Sequence, residues 1–323
     1  MPLLLSDRAV TESPVPIITA AEARSLGLRL SGHAWRRVRV GMYVERNAFE
    51  KLPPWQRYAV RVHAFARAHP DAALCLESAA VVQGLPLFGE PRDIHVFDPD
   101  RRTSRRFGDV VVHTSILPRS VERVRGVLVT RPLETVSDLA RALPPAQALA
   151  TADSAVSPAQ GGGLRVEDLQ AFTDSVPDRR GRARARWVWE RADGRAESPA
   201  ESISRAVIEW SGFETPELQR EFRYDGHLDR VDFHFPSCDA IGESDGWQKY
   251  QLDDGASAAR RLADEKRRED RLRRNGHAFA RWDLADAWRV APLVRALSSA
   301  GVQQTAPAQS AMLASFARTA FSA

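Results

Sequence analysis

Lysine is nearly absent from this chain of 323 residues. Its 46 basic residues include only three lysines, Lys51, Lys249 and Lys266, so 43 are arginines. We attribute the shortage to the arginine-rich codon usage of a GC-rich genome. The positions of the few remaining lysines are therefore of interest, because an ammonium group and a guanidinium group differ in shape and in the ease with which they lose a proton.

Cysteine is scarce, long apolar runs are absent, and the first residues do not resemble a secretion signal. The two cysteines, Cys75 and Cys238, are far apart in sequence and too few to form a disulfide framework or a zinc cluster. No apolar run approaches the roughly 18 residues of a membrane helix. The first residues, MPLLLSDRAV, have no basic start and no cleavage-like site. We therefore expect a soluble, cytoplasmic protein with no membrane partner.

The charge and length set the remaining bounds. The formal net charge of +4 permits a nucleic-acid partner without requiring one. A chain of this length is expected to form two or three domains, and its patterns indicate an α+β multidomain protein. We place the boundaries at residues 1–14 (leader), 15–58, 59–156, 157–196 (a Gly/Arg-rich linker), 197–299 and 300–323 (a flexible tail).

Residues 15–58 have the plan of a winged helix-turn-helix. Thr19 and Glu22 have capping-box spacing, so a helix should start at Ala20. A second short helix is expected from Ser31 toward Arg37. The following RVRVGMYV alternates in polarity around a glycine and predicts a β-hairpin. The alternative is a small helical cap on the next domain.

The middle region, residues 59–156, is predicted to be α+β. Helices are expected near 55–69, 74–82, 134–143 and 146–155, and strands near 94–97, 110–113 and 127–130. No catalytic group stands out here. His95 and His113, on strands, are interpreted as ordinary polar residues rather than ligands. The arginine run at 179–186 is interpreted as a solvated segment, with a phosphate-contacting arm as the alternative.

Residues 197–299 have the element order αβββαβα. A helix from about Ser198 to Ser211 precedes two alternating segments that join at Asp225-Gly226, a strong turn dipeptide. A less polar third strand follows, and then a long helix over 257–275, a last strand and a last helix. In HLDRVDFHF, the apolar residues share one face and Asp232 points to the other.

Acidic residues in this region are placed to converge. Glu243 and Asp245 are two apart on the third strand and so share a face, and Asp232 on the neighbouring strand can meet Glu243. Glu201 on the preceding helix can add a fourth carboxylate. Carboxylates this close repel one another unless a cation lies between them, and oxygen ligands select Mg²⁺ or Mn²⁺.

Such a site typically acts on phosphates. Lys249, just after the acidic pair, could orient the attacking water or neutralise charge on the phosphate. The long helix carries arginines that could hold a nucleic-acid backbone: Arg267, Arg268, Arg271 and Arg274.

The motifs RVDFHFP (230–236), GESDGWQKY (242–250) and EKRREDRLRR (265–274) resemble the PD-(D/E)XK nuclease superfamily, and within it the branch similar to very-short-patch-repair endonucleases. The resemblance covers residues 197–299 and implies a restriction-endonuclease-like αβββαβ fold. It implies that Glu201, with Glu197 as its rival, is the helix glutamate, and that Asp232 and Glu243 are the metal-binding acids. It also places Gln219 near the site.

The sequence departs from the superfamily motif at one position. Asp245 stands where the motif has its lysine, so that role would pass to Lys249 first and to Lys266 second. The fine detail of the mechanism depends on this position, although the branch usually has an acid here.

The N-terminal segments ITAAEARSLGL and WRRVRVGMYV resemble the winged domain of AbiEi-type antitoxins, and LCLESAAVVQGLPLFGEPRDIHV resembles the region that follows it. This likeness covers residues 15–156 and implies a DNA-binding repressor module. The residues that would contact phosphates are Arg36, Arg37 and Arg39.

The sequence therefore predicts a Mg²⁺-dependent DNA endonuclease with an N-terminal DNA-binding module. The alternative is a non-enzymatic DNA-binding regulator, antitoxin-like, whose nuclease fold is inactive. DNA is the expected partner in both cases, and a cognate toxin or a second copy of the chain would be a further partner.

Overall fold

The structure is a computed structural model that describes residues 12–30, 32–115, 117–245 and 255–320. It forms two compact units, which divide between Gly194 and Arg195, close to the predicted boundary at 197. Both units mix helices and sheets, which confirms the α+β class. Among the described residues, no helix has the length and apolar character needed to span a membrane.

The first unit begins with a small three-stranded sheet of order β1-β3-β2. Its elements are β1 (Ile18–Thr19), α1 (Ala20–Ser25), β2 (Trp35–Arg39), β3 (Met42–Glu45), α2 (Arg46–Glu50) and α3 (Pro54–Ala68). The predicted capping box is present, because Thr19 and Glu22 bond reciprocally at the start of α1. The predicted hairpin is present as well, and turns at Gly41 with φ +72°.

The second helix predicted from Ser31 toward Arg37 is wrong over the described residues. Trp35–Arg39 is a strand instead, paired antiparallel with β3. The aromatic and β-branched side chains of this segment favour an extended backbone once a partner strand lies beside it. One helix, not two, therefore precedes the hairpin within residues 12–30 and 32–45.

A six-stranded mixed sheet of order β6-β7-β5-β4-β9-β8 follows. The elements of this region are β4 (Ala73–Leu74), α4 (Leu76–Val82), β5 (Ile94–Phe97), β6 (Arg105–Phe107), β7 (Val110–His113), β8 (Val121–Val124), β9 (Val127–Thr130), α5 (Pro132–Ala142) and α6 (Pro145–Val156). The three strands predicted at 94–97, 110–113 and 127–130 are β5, β7 and β9. The strands that sequence did not predict are two to four residues long and carry little periodicity.

The segment predicted as a linker, 157–196, is instead packed structure within the first unit as far as residue 194. It contains α7 (Val166–Ser175) and α8 (Arg182–Trp189). Trp189 is buried and donates a hydrogen bond from Nε1 to Thr173 Oγ1 at 3.2 Å. Arg184 donates to the carbonyls of Arg141 and Ala142, at the C-terminus of α5. Part of the arginine run thus neutralises a helix end, while Arg184 itself remains exposed.

The second unit is a four-stranded sheet of order β10-β11-β12-β13 with helices around it. Its elements are α9 (Pro199–Trp210), β10 (Glu217–Tyr224), β11 (His227–Phe235), β12 (Ala240–Asp245), α10 (Gly255–Arg274), β13 (Phe279–Asp283), α11 (Leu284–Arg289), α12 (Ala291–Ser299) and α13 (Ser310–Ala320). β10, β11 and β12 are antiparallel neighbours, and β13 joins β12 in parallel after α10. The predicted order is therefore confirmed through the last strand. The single last helix that was predicted is instead two helices, α11 and α12, which divide at Val290 with φ +63°.

One face of β11 forms the core of this unit. Val231, Phe233 and Phe235 are fully buried, as their alternation predicts. Phe233 packs against Trp282 of β13, with ring centroids 5.5 Å apart. Asp232 therefore lies on the opposite face of the same strand.

The tail predicted to be flexible from residue 300 is wrong for the described residues 300–320. Phe316 on α13 is buried, stacked on Trp288 at 4.3 Å and edge-on to Trp210 at 5.8 Å between centroids. Upstream of it, Gln304 forms a β-bridge with Phe213. Although most residues of this segment are small, Phe316 anchors it on Trp210 of α9 and Trp288 of α11.

Candidate active site

The N-terminus of α9 fixes a buried glutamate. Ser198 is the N-cap of α9, and its hydroxyl accepts a hydrogen bond from the backbone N–H of Glu201 at 3.2 Å. The Ser198 hydroxyl also donates to Glu201 Oε1 at 2.7 Å, and the N–H of Glu197 donates to Oε2 at 3.0 Å. Glu201 is only 4% exposed. Reciprocal capping of this kind holds the carboxylate in one position.

Gln219 of β10 completes the contacts of this carboxylate. Its Nε2 donates to Glu201 Oε2 at 3.1 Å. The backbone of Gln219 has φ +53°, in the left-handed region that non-glycine residues seldom adopt. Such strain is of the order of 1–3 kcal/mol and persists where the surroundings require it. Gln219, which the resemblance placed near the predicted site, thus contacts Glu201.

Burial is the largest influence on the Glu201 carboxyl and raises its pKa, and the negative charge of Asp232 is the second influence in the same direction. Together they raise the pKa of Glu201 to about 8. A neighbouring carboxylate has this effect only at close range, so Glu201 and Asp232 belong to one electrostatic cluster.

Asp232 connects β11 to β12. Its Oδ2 accepts a hydrogen bond from the backbone N–H of Ser244 at 2.9 Å. The neighbouring strand pair is Phe233 with Gly242, so Asp232 lies beside the segment that carries Glu243. The predicted approach of Asp232 to the third strand is therefore present.

Glu243 and Asp245 share a face of β12 and each contacts an arginine. Glu243, with a side chain 7% exposed, forms an ion pair with Arg268 of α10. Arg281 of β13 lies 3.4 Å from the Asp245 carboxylate, and it also pairs with Glu265 at 2.9 Å. Sequence reasoning assigned Arg268 to DNA and did not anticipate that it would pair with a candidate metal ligand. The rotation of α10 about its axis, which decides this, leaves no signal in spacing.

The donor set fits a hard cation in its chemistry, because Asp232, Glu243 and Asp245 supply only oxygen ligands. Within the residues that the structure describes, however, no group of three histidine, cysteine or acidic side chains is gathered closely enough to hold a metal ion. The guanidinium of Arg268 supplies positive charge at Glu243 in this arrangement.

The two lysines predicted to act at the site are Lys249 and Lys266. Lys249 lies outside the described residues, within 246–254. Lys266 is exposed on α10.

The four candidate arginines of α10 have separate environments. Arg267 is exposed and pairs with Asp264 at 2.8 Å. Arg268 also donates to the carbonyl of Arg230 at 2.7 Å, in addition to its ion pair with Glu243. Arg271 makes two hydrogen bonds, at 2.7 and 2.6 Å, to the buried carboxylate of Asp229. Arg274 is exposed and lies 3.9 Å from Asp225. Arg267, with a side chain 74% exposed, is the most accessible of the four to a ligand.

The three candidate arginines of the N-terminal hairpin also differ. Arg36 and Arg37 are exposed, and Arg36 lies over the ring of Phe49 at 4.7 Å. Arg39 has a side chain only 15% exposed, pairs with Asp109 at 3.0 Å and lies over the ring of Phe65. Arg39 therefore ties the hairpin to the remainder of the first unit.

No family model matches the chain, and no solved structure matches it. Two curated proteins from Mycobacterium tuberculosis are similar: "Uncharacterized protein MT2308" from strain CDC 1551 / Oshkosh and "Uncharacterized protein Rv2248" from strain ATCC 25618 / H37Rv. Each is 35% identical over 173 residues, which is 53% of this chain. The chain spans 62% of the length of these relatives, so the likeness concerns part of each protein.

Proposed function

We propose that the second unit is a Mg²⁺- or Mn²⁺-dependent DNA endonuclease that hydrolyses phosphodiester bonds. The observation that carries the proposal is the cluster of Glu201, Gln219 and Asp232 beside the four-stranded sheet of this unit. Glu243 lies on β12, the strand next to that of Asp232. This arrangement of acids on these elements is what the resemblance to PD-(D/E)XK nucleases implies. The charge of Asp232, which is the second cause of the raised Glu201 pKa after burial, supports it further, because neighbouring carboxylates favour a bound cation.

Each residue would have a defined part. Asp232 and Glu243 would hold the metal ion, and Asp245 would assist with the ion or its water. When bound, the ion would offset the charge that builds on the scissile phosphate and make water a better nucleophile. Glu201, held by Ser198 and Gln219, would complete the acidic cluster. Lys249, with Lys266 as its substitute, would orient the water or stabilise the transition state.

The first unit would supply DNA binding in the manner of an antitoxin-like winged module. Its exposed Arg36 and Arg37 are the positions best suited to phosphate contacts, and Arg267 would serve the second unit in the same way. A cognate toxin or a second copy of the chain would be a further partner of this module.

The second candidate function is that of a DNA-binding regulator with an inactive nuclease fold. It is favoured by the pairing of Glu243 with Arg268 and of Asp245 with Arg281, since these arginines occupy the carboxylates that a metal would need.

Plasmid cleavage distinguishes the two functions. The purified chain is incubated with supercoiled plasmid and Mg²⁺ or Mn²⁺, with EDTA in a parallel reaction, and nicked and linear products are measured. We expect metal-dependent cleavage by the parent and a loss of at least about a hundredfold in Asp232→Ala, because a metal ligand is removed. Asp270→Asn, at an exposed position of α10, is the matched control and should cut like the parent.

Two outcomes would contradict the proposal. If the Asp232→Ala variant cuts DNA as fast as the parent, Asp232 does not belong to the active site. A gel shift of DNA by the parent without nicking in either metal would favour the regulator.

A further inference from the structure

The first unit contains a cavity of about 220 Å³ between its large sheet and the end of α5. Leu76, Phe97 and Ala142 form its apolar wall, and Thr114 and Ser115 supply hydroxyl groups. Engineered cavities of roughly 150 Å³ accept benzene, so this volume is enough for a compact organic molecule and far too small for duplex DNA.

Three arginines line the cavity: Arg119, Arg141 and Arg180. Arg119 is the most unusual, because its side chain is only 10% exposed. Its Nη2 donates to Asp138 at 2.9 Å, while its Nη1 is buried and has no hydrogen-bond partner among the described residues. A buried guanidinium donor without an acceptor is costly, and the residue that carries it is part of the cavity wall.

The other two arginines have different environments. Arg141 is committed to the protein, since it donates to the carbonyls of Asp178 and Arg180 at 2.7 and 2.9 Å. The guanidinium of Arg180 is exposed and makes no hydrogen bond or ion pair with a described residue. Arg119 and Arg180 thus offer donors at the inner wall and at the surface of the same cavity.

The negative charge at the cavity does not cancel these donors. Asp178 has a side chain 68% exposed, and its carboxylate lies 3.5 Å from Arg141. Asp138 pairs with Arg119 at 2.9 Å, so Asp138 and Asp178 each offset one of the three arginines and the charge of Arg180 remains. An oxyanion would therefore meet a cavity with a surplus of donors.

A pair of histidines, His95 and His113, lies at the same cavity. His113 lines the cavity, and its Nε2 lies 2.9 Å from Nδ1 of His95, whose Nε2 is 3.5 Å from Glu77. Burial lowers the pKa of His95 to about 4, so its imidazole is neutral at neutral pH. A neutral His95 fixes the ring orientation of His113 through one hydrogen bond. The sequence pattern had suggested only ordinary polar residues at these two positions.

We propose that this cavity binds a small organic oxyanion, in which a phosphate or carboxylate group meets Arg119 and Arg180 and a compact, partly apolar body contacts Leu76 and Phe97. Arginine suits such a ligand, because its planar guanidinium can form two parallel hydrogen bonds with a phosphate or with a carboxylate. A ligand of this class would make the first unit a sensor as well as a DNA-binding module.

The test is calorimetric titration of the full-length chain with three probes: inorganic phosphate, a nucleoside 5′-monophosphate and benzoate. We expect at least one to bind in the micromolar to millimolar range, and the preferred probe identifies whether phosphate or carboxylate is recognised. Arg119→Gln and Arg180→Gln should each weaken that binding roughly tenfold, the usual effect of losing a charge-assisted hydrogen bond.

Arg179→Gln is the matched control, because Arg179 is exposed and adjacent but does not line the cavity. It should bind the probe like the parent. Arg180 is exposed, so Arg180→Gln remains informative if Arg119→Gln fails to fold. Absence of binding for all three probes at millimolar concentration, or an equal loss in Arg179→Gln, would overturn the proposal.

Discussion

At the scale of single residues, the candidate site depends on one buried carboxyl group. Glu201 is placed by a serine cap and an amide, and its ionisation is opposed by burial and by Asp232. The sequence could identify Glu201, Asp232 and Glu243 through their motifs and their alternation along strands. It could not identify Arg268 as the partner of Glu243, because that pairing depends on how α10 lies against the sheet.

Replacement of Glu201 by glutamine should change how stability depends on pH. The pKa of Glu201 is raised from about 4.5 in the unfolded chain to about 8 in the folded one, so the parent loses stability as pH rises through this window. Glutamine does not titrate. The free energy of unfolding of the parent should therefore fall relative to that of Glu201→Gln between pH 5 and 8, by on the order of 3 kcal/mol. Above pH 8 the difference between the two should stay constant.

Urea unfolding at several pH values, with EDTA present, measures this difference. Glu221→Gln, at an exposed position of β10, is the control. Stability curves for Glu201→Gln and the parent that stay parallel from pH 5 to 8 would contradict the raised pKa.

At the scale of elements, β12 shows why a glycine precedes the acidic pair. A Cβ at Gly242 would lie 2.6 Å from the Trp282 ring and 3.1 Å from Cβ of Phe233. The absence of a side chain on this face lets β13 and β11 pack closely around β12. The opposite face carries Glu243 and Asp245 on the neighbouring residues.

Gly242→Ala should therefore destabilise the second unit by roughly 1–3 kcal/mol, as overpacking of a dense core usually does. Denaturant unfolding followed by tryptophan fluorescence would measure the loss. Gly163→Ala, where an added Cβ meets nothing within 4 Å, should change stability little. Equal stability of Gly242→Ala and the parent would mean that Trp282 can move aside at no cost.

At the scale of the whole molecule, the chain forms two compact units, and each includes a segment whose composition suggested a linker or tail. Residues 157–194 pack through Leu169, Val188 and Trp189 in the first unit. The last helix of the second unit packs through Phe316. In both cases a few large apolar side chains outweigh a composition rich in arginine, glycine or alanine, because buried apolar area drives the packing.

Phe316→Ala should accordingly destabilise the second unit by about 3–5 kcal/mol, since it removes a buried ring between two tryptophans. Thermal or denaturant unfolding of the full chain would measure this change. Gln303→Ala, at an exposed position of the same segment, is the control. A Phe316→Ala chain as stable as the parent would show that the segment contributes little to the unit.

By itself, the sequence determined the α+β class, the order αβββαβ of the second unit, the buried face of β11 and the positions of the acidic residues along its strands. These follow from periodicity, turn residues and caps, which act over a few neighbouring residues. The tertiary structure alone decided that Trp35–Arg39 is a strand, that Arg268 pairs with Glu243 and that Arg119 lines a cavity with an unsatisfied donor. Each of these depends on contacts between residues far apart in the chain, and such contacts leave no local pattern.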